Sequence, residues 1–113
     1  MAPEIIIIDT PDLGDRSYVV GFEGKAVVVD PQRDIDRVHA ALQGREWTVT
    51  HVVETHVHND YVSGGLVLAE ELGAAYVVPV GHDYQFEATQ MGEGDTFTSG
   101  RMDWRVMHTP GHT

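Results

Sequence analysis

The stretch from Glu54 to Gly65, which reads Glu-Thr-His-Val-His-Asn-Asp-Tyr-Val-Ser-Gly-Gly, most constrains what this chain can fold into. It places two imidazoles and a carboxylate, on His56, His58 and Asp60, at alternate positions. In a locally extended chain these side chains lie on one side, because side chains alternate with a period of two. Imidazole nitrogens and carboxylate oxygens bind zinc and ferrous iron. The spacing indicates a metal site, although a polar surface loop is the simpler alternative for so short a motif.

The segments on either side of this stretch favour the metal site. Residues 47–54 are rich in β-branched side chains and predict a buried strand that runs directly into the motif. Downstream, Ser63 can cap a helix that ends at Gly73. Open α/β sheets bind their ligands at the carboxyl ends of strands, next to helix starts. The motif occupies such a position.

The remaining pattern predicts a single mixed α/β domain with its helices on one side of a sheet. Asp34 can cap a helix whose apolar stripe includes Val38 and Leu42. The isoleucines at 5–8 occupy both faces of the first strand, so that strand is expected to be buried. Apolar runs bounded by turn residues predict strands at 5–8, 17–22, 25–30, 75–78, 96–98 and 102–107.

Composition excludes several classes of function. The net charge of −11 argues against nucleic acid, because phosphate binding depends on Lys and Arg. The chain has no cysteine, so any metal must be held by nitrogen and oxygen. The amino terminus lacks a basic signal region, and its isoleucine run is too short to span a membrane. A cytoplasmic protein that binds neither membrane nor nucleic acid is expected.

Two motifs together resemble one enzyme superfamily. Residues 55–60, Thr-His-Val-His-Asn-Asp, resemble the Thr-His-x-His-x-Asp signature of the metallo-β-lactamase superfamily. Residues 108–113 resemble its His-Thr-Pro-Gly-His-Thr motif. The wording from Glu54 to Gly65 is similar to the persulfide dioxygenase branch, including bacterial members that carry rhodanese domains. The resemblance covers nearly the whole chain and implies a four-layer αββα sandwich.

The resemblance also implies that residues 1–113 are the N-terminal part of the domain, about its first half, ending directly after the His-Thr-Pro-Gly-His-Thr motif. We therefore expect a fragment or a cleaved product of a longer protein. The sheet face that the second half would cover is apolar, and an exposed apolar sheet face favours association. The expected partners are a second copy of the chain or the missing half.

By the same resemblance, His56 and His112 correspond to two ligands of a mononuclear ferrous iron, and the third is an aspartate beyond Thr113. Two histidines and one carboxylate leave open positions for dioxygen and a thiol persulfide. His58 corresponds to a direct zinc ligand in the hydrolytic relatives. In the iron branch it lies beside the metal and orients the ligands. Both roles for His58 stay open.

Asp60 and Tyr61 discriminate between reaction classes. Hydrolases such as glyoxalase II usually read His-x-His-x-Asp-His, and the last histidine helps to hold a second zinc. Tyr61 stands there in this chain, and a phenol with a reference pKa of about 10 is a poor ligand near neutral pH. His58, Asp60 and Tyr61 are therefore the catalytic candidates around one metal. A single zinc could still activate water.

The predicted function is that of a mononuclear non-haem iron dioxygenase. It would use dioxygen to oxidise a low-molecular-weight thiol persulfide, such as glutathione persulfide, to sulfite and the thiol. The alternatives are a zinc-dependent glyoxalase II-like thioester hydrolase and an inactive half domain. Asp30 ends a strand at the same edge as the motif. It could hydrogen-bond the metal loop, although a turn role with Pro31 is the simpler expectation.

Overall fold

In a computed structural model, which describes residues 3–10, 15–31, 36–55, 64–79 and 88–107, six strands form one sheet. Its strands, in spatial and chain order, are β1 (Glu4–Thr10), β2 (Asp15–Phe22), β3 (Lys25–Val29), β4 (Thr48–Val53), β5 (Ala75–Pro79) and β6 (Thr89–Met91). The described helices are α1 (Asp36–Leu42) and α2 (Gly64–Leu72). A second sheet is the antiparallel hairpin of β7 (Thr96–Ser99) and β8 (Met102–Arg105).

The order of the strands explains where the helices lie. β1, β2 and β3 pair antiparallel, whereas β3, β4, β5 and β6 pair parallel. The sheet grows in one direction from β3 to β5, so right-handed crossovers place α1 and α2 on the same face. No helix in the described ranges is long and apolar enough to cross a membrane. The predicted mixed α/β sheet with helices on one side is confirmed.

The core lies between the helices and the sheet. Val38 of α1 and Leu68 of α2 are buried against strand residues on one face of the sheet: Val19, Ala26, Val28, Val49, Val52, Tyr76 and Val78. Trp47 packs against the edge of this core, directly over Gly21. A Cβ atom at Gly21 would overlap the Trp47 ring, so this close approach requires glycine.

The β7–β8 hairpin lies against the opposite face of the sheet. Val52 faces the helices, so the preceding residue, His51, points the other way. The His51 ring contacts Phe97 of β7, with 4.4 Å between ring centroids. The hairpin thus covers β3 and β4, and Val27, which pairs with His51, is fully buried.

The prediction that the first strand is buried on both faces is wrong. Ile6 and Ile8 pack against the core, but Ile5 is 61% exposed and Ile7 is 55% exposed. β1 is the edge strand of the sheet, and the hairpin lies over β3 and β4 rather than over β1. Together with half-buried Tyr18 and Val20, with which they pair, Ile5 and Ile7 form what we call the uncovered apolar face.

β6 is a strand that the sequence analysis did not predict. Its three residues, Thr-Gln-Met, have no apolar alternation and are mostly exposed. β6 exists because the edge of β5 offers unpaired backbone groups, with Val77 beside Thr89 and Pro79 beside Met91. Pairing of this kind depends on position in the fold rather than on local composition.

Self-association of the 113-residue chain is expected to proceed through the uncovered apolar face. Replacing Ile5 and Ile7 by serine removes apolar surface that water solvates poorly, so the double variant should sediment as a smaller species than the parent. Val67→Ser is the matched control, because Val67 is 41% exposed on α2, on the helix side of the sheet. A parent chain that sediments as a compact monomer at all concentrations would contradict the expectation.

Candidate metal centre

The segment that carries the first predicted motif follows the carboxyl end of β4, at an edge of the sheet where the parallel strands end. Val29 of β3 pairs with Val53 of β4, and Val53 pairs with Val77 of β5, so the chain leaves these strands at one edge. Residues 56–63 follow β4, and the last six residues follow β8. The predicted site residues His56, His58, Asp60, Tyr61 and His112 lie outside the described residues. The structure therefore describes the residues that lead into the proposed centre.

Asp30 holds the first residue of the motif at two atoms. Its carboxylate accepts a hydrogen bond from the backbone N–H of Thr55 at 2.7 Å and another from the Thr55 hydroxyl at 2.5 Å. Hydrogen bonds to a carboxylate are stronger than those between neutral groups. Asp30, which directly follows β3, thus hydrogen-bonds the first residue of the motif. These hydrogen bonds fix the backbone one residue before His56.

The backbone of Asp30 is itself held in an unusual conformation. Its φ angle is 51°, in the left-handed region that most side chains avoid and that aspartate tolerates. Its N–H donates to the Val53 carbonyl at 2.8 Å, and its carbonyl accepts from the buried Ser17 hydroxyl at 2.5 Å. Such a conformation persists only where the surroundings determine it on several sides. Here the result is a carboxylate aimed at Thr55.

Glu54 enters the same turn from a buried position. Its side chain is 3% exposed, and the Tyr76 hydroxyl donates to Glu54 Oε2 at 2.7 Å. Its backbone N–H donates to the Val77 carbonyl at 2.9 Å. A buried carboxylate requires hydrogen-bond partners, because removal from water is costly. β5 therefore supplies a side chain and a backbone group that hold the residue before Thr55.

The sequence analysis did not identify the Glu54–Tyr76 pair. The sequence offers one indication of this pair: Glu54 lies between an apolar strand and the ligand motif, where a carboxylate is expected to be buried and to need a partner. Tyr76 gives no such signal, since its aromatic ring also suits a core strand. Only the parallel pairing of Val52 with Tyr76 brings the phenol beside the carboxylate.

A half-buried imidazole connects β4 to the hairpin that leads into the second motif. His51 Nδ1 is 2.7 Å from the Thr50 hydroxyl, and the His51 ring contacts Phe97. Burial lowers the pKa of His51 below its ordinary value of 6.5, because desolvation disfavours the imidazolium. Neither neighbour carries a charge that would offset this effect.

A groove of about 570 Å³ opens at the other end of β4. It is lined by Trp47, Thr48 and residues of both helices, including His39 and Leu72. Thr48 begins β4, whereas the motif follows its last residue. The groove is therefore distinct from the candidate metal centre.

The described part of the chain contains no group of three or more His, Asp, Glu or Cys side chains that could hold a metal ion. The candidate ligands belong to the segments after β4 and after β8. What the described residues contribute is the support of those segments: Asp30 and Glu54 before the first motif, and the hairpin before the second.

Comparison with known proteins decides the family. The profile of the metallo-beta-lactamase superfamily matches residues 11–113. The chain belongs to the metallo-beta-lactamase superfamily. Members of this superfamily are metal-dependent enzymes, often with zinc or iron.

The individual proteins to which the chain is similar carry different names. The chain is 32% identical over 92 residues to the hydroxyacylglutathione hydrolase of Rhizobium etli, covering 80% of this chain but 36% of that relative. A metallo-beta-lactamase structure from Staphylococcus aureus superposes with a TM-score of 0.83 at 29% identity, over 100% of this chain and 36% of that one. ETHE1 from Myxococcus xanthus gives a TM-score of 0.83 at 29% identity, over 97% and 50% respectively. The chain thus spans between a third and a half of the length of these relatives.

The Asp30–Thr55 contact predicts a loss of metal affinity when it is removed. In the complete protein, Asp30→Ala should weaken metal binding by about 10- to 100-fold, the range found when groups that support ligands are removed. Asp30→Asn should lose less, because asparagine tolerates the left-handed conformation and keeps an acceptor for the Thr55 N–H. Competition with a chelator measures the affinity. Equal affinity in Asp30→Ala and the parent would contradict this role.

The lowered pKa of His51 predicts a pH dependence of stability. Between the folded pKa and 6.5 the unfolded chain binds more protons at this site, so His51 lowers the free energy of unfolding as the pH falls through that window. His51→Gln keeps hydrogen-bonding capacity without this titration. Urea unfolding between about pH 8 and about pH 5.5 should show a smaller loss of stability in His51→Gln than in the parent. Identical losses in both proteins would contradict the assignment.

Proposed function

We propose that the complete protein is a mononuclear non-haem iron dioxygenase that oxidises a low-molecular-weight thiol persulfide. The observation that carries this proposal is Tyr61 in place of the histidine that ends the His-x-His-x-Asp-His motif of two-zinc hydrolases. A phenol with a reference pKa of about 10 stays protonated near neutral pH and is a poor ligand. The second metal position therefore lacks one of its ligands, and a two-metal hydrolytic mechanism is disfavoured.

The donor chemistry of the chain fits a single iron. The 113 residues contain no thiolate, so the ligands that they supply must be imidazole or carboxylate, which suit ferrous iron. In this proposal His56 and His112 hold the metal through ring nitrogens, and a carboxylate from outside the 113 residues completes the set. The fixed turn at Asp30 and Thr55 supports this reading, because ligand sites depend on outer hydrogen bonds that orient the ligands.

The chain's own side chains would bind and orient the reactants. His58 and Asp60 lie within three residues of Tyr61 in the motif, and the three form the proposed catalytic group. The Tyr61 hydroxyl is a hydrogen-bond donor at neutral pH and can orient an oxygen or sulfur atom of a reactant. Asp60 accepts hydrogen bonds and can orient the imidazole of a ligand. Iron, when bound, supplies the redox chemistry between dioxygen and sulfur.

The proposed reaction balances without any further oxidant. A thiol persulfide, dioxygen and water give the thiol, sulfite and two protons. The bond between the two sulfur atoms breaks, the outer sulfur is oxidised to sulfite, and dioxygen is reduced. Glutathione persulfide is the proposed type of substrate, and the cytoplasm, which keeps thiols reduced, is the proposed compartment.

A second candidate function is zinc-dependent thioester hydrolysis. The observation that favours it is the similarity to the hydroxyacylglutathione hydrolase of Rhizobium etli, at 32% identity over 92 residues. One zinc can activate water with a ligand set of nitrogen and oxygen. Both candidates act on derivatives of a small thiol, so they differ in the metal and in the bond that is broken.

Metal analysis and oxygen uptake test the proposal on the complete protein, purified without added metal. We expect about one iron per chain and oxygen consumption on addition of glutathione persulfide. His56→Ala and His112→Ala should each lose iron and activity together, since each removes a proposed ligand. His39→Ala is the matched control, because His39 is exposed on α1 and its ring bonds to Glu71. Tyr61→His should bind additional metal.

Three outcomes would contradict the proposal. Full iron content in His56→Ala would refute the ligand assignment. Zinc in the parent together with thioester cleavage would favour the second candidate. A complete protein that binds no metal in stoichiometric amount would identify an inactive domain or an interaction module.

A further inference from the structure

We propose that a side-chain contact between β4 and β7 sets the position of the two ligand-bearing motifs relative to each other. We call it the β4–β7 contact, and it consists of Thr50 and His51 on β4 with Phe97 and Ser99 on β7. These four are positioning residues, since none belongs to a motif. The inference rests on the proposed function, because it concerns the same metal centre.

The hydrogen bonds of the β4–β7 contact are centred on the Thr50 hydroxyl. The Thr50 hydroxyl donates to the Ser99 hydroxyl oxygen at 2.5 Å. The Thr50 hydroxyl oxygen also lies 2.7 Å from His51 Nδ1 and 3.4 Å from the Ala26 carbonyl oxygen. Ser99 is fully buried, so loss of its Thr50 partner would not be compensated by water. These hydrogen bonds therefore fix the side-chain torsions of Thr50 on β4 and Ser99 on β7.

Ring packing continues the contact across the hairpin. The His51 and Phe97 rings are inclined at 30°, and Phe97 stacks on Trp104 of β8 with 5.6 Å between centroids and an angle of 8°. Phe97 and Trp104 are directly paired across β7 and β8. The position of β4 is thus transmitted through Phe97 to β8, the strand that precedes the second motif.

Both strands are held by hydrogen bonds or sheet pairing at positions a few residues before the predicted ligands in the sequence. β4 ends at Val53, three residues before His56. After β8, the Val106 N–H donates to the Asp95 carbonyl at 2.8 Å, and the Val106 carbonyl accepts from the Gly94 N–H at 2.9 Å. Val106 lies six residues before His112. Short, anchored leads mean that a shift of the hairpin on the sheet moves the second motif relative to the first.

The other attachments of the hairpin specify its position less well. The hairpin is a separate sheet, with no backbone ladder to the six described strands. Arg101 and Glu23 form an exposed ion pair at 3.2 Å, and such pairs constrain little. Met102 is buried, but apolar burial is not directional. Among the described contacts, the hydrogen bonds of Thr50 are those that select one register of the hairpin on β4.

The test uses the complete protein loaded with Co²⁺ as the probe, because its absorption spectrum reports the geometry of its ligands. We compare the parent with the double variant Thr50→Val and Ser99→Ala. Removing both hydroxyls leaves neither of them buried without its partner, and His51, which loses its contact with Thr50, is only half-buried, so the fold should survive. We expect Co²⁺ affinity to fall about 10- to 100-fold, as for other groups that orient ligands, and the saturated spectrum to change.

Two further variants separate positioning from stability. Thr50→Ser keeps the hydroxyl, so this single variant should have the Co²⁺ affinity and the absorption spectrum of the parent. Thr98→Val is the matched control, because Thr98 is an exposed threonine beside Ser99 on the same strand. Ser99→Ala alone keeps the bond between Thr50 and His51 and should give an intermediate loss, which provides a measurement if the double variant does not fold. Urea unfolding of each metal-free protein measures stability separately.

A double variant that unfolds more easily, yet binds Co²⁺ with the affinity and spectrum of the parent, would overturn the inference and leave the β4–β7 contact a stabilising one. His112→Ala distinguishes this result from failure of the proposed function. If the parent binds no Co²⁺, or if His112→Ala binds it equally well, the proposed ligand set fails and the inference fails with it.

Discussion

The parallel pairing of β3 with β4 is the interaction on which the candidate centre depends. It places Val29 beside Val53, so that Asp30 and Thr55 leave the sheet at the same edge. One carboxylate can then accept two hydrogen bonds from Thr55, and the backbone enters the first motif in a single direction. Order that exists before a metal binds lowers the entropy that binding must remove. The left-handed backbone of Asp30 is a local strain that this arrangement tolerates.

The two motifs follow strands that belong to different sheets of the molecule. The first follows β4 in the main sheet, and the second follows β8 in a hairpin on the face away from the helices. No backbone ladder joins the hairpin to the six described strands of the main sheet, so side chains determine how they fit together. The Thr50 hydroxyl and the His51 ring provide directional contacts for this purpose. The proposed site would then depend on side-chain packing between β4 and β7, at residues outside both motifs.

The fold does not choose between oxidation and hydrolysis. The same architecture superposes on structures named metallo-beta-lactamase and ETHE1 with equal TM-scores of 0.83. A fold hosts many reactions, and the side chains of the site decide among them. In this chain the discriminating position is Tyr61, which replaces an imidazole by a neutral phenol. The proposed choice of oxidation over hydrolysis therefore rests on the ligand chemistry of one position in a motif.

The amino-acid sequence was sufficient to predict both described helices, every described strand except β6, the family and the candidate ligands, because apolar periodicity, turn residues and motif spacing are local properties. It did not determine that Ile5 and Ile7 face outward, since that depends on where the hairpin covers the sheet. The tertiary structure alone decided the partners of Asp30, Tyr76 and Thr50, which lie 25, 22 and 49 positions away in the chain. Such contacts follow from strand register and layer packing, and neither is encoded in a short window of residues.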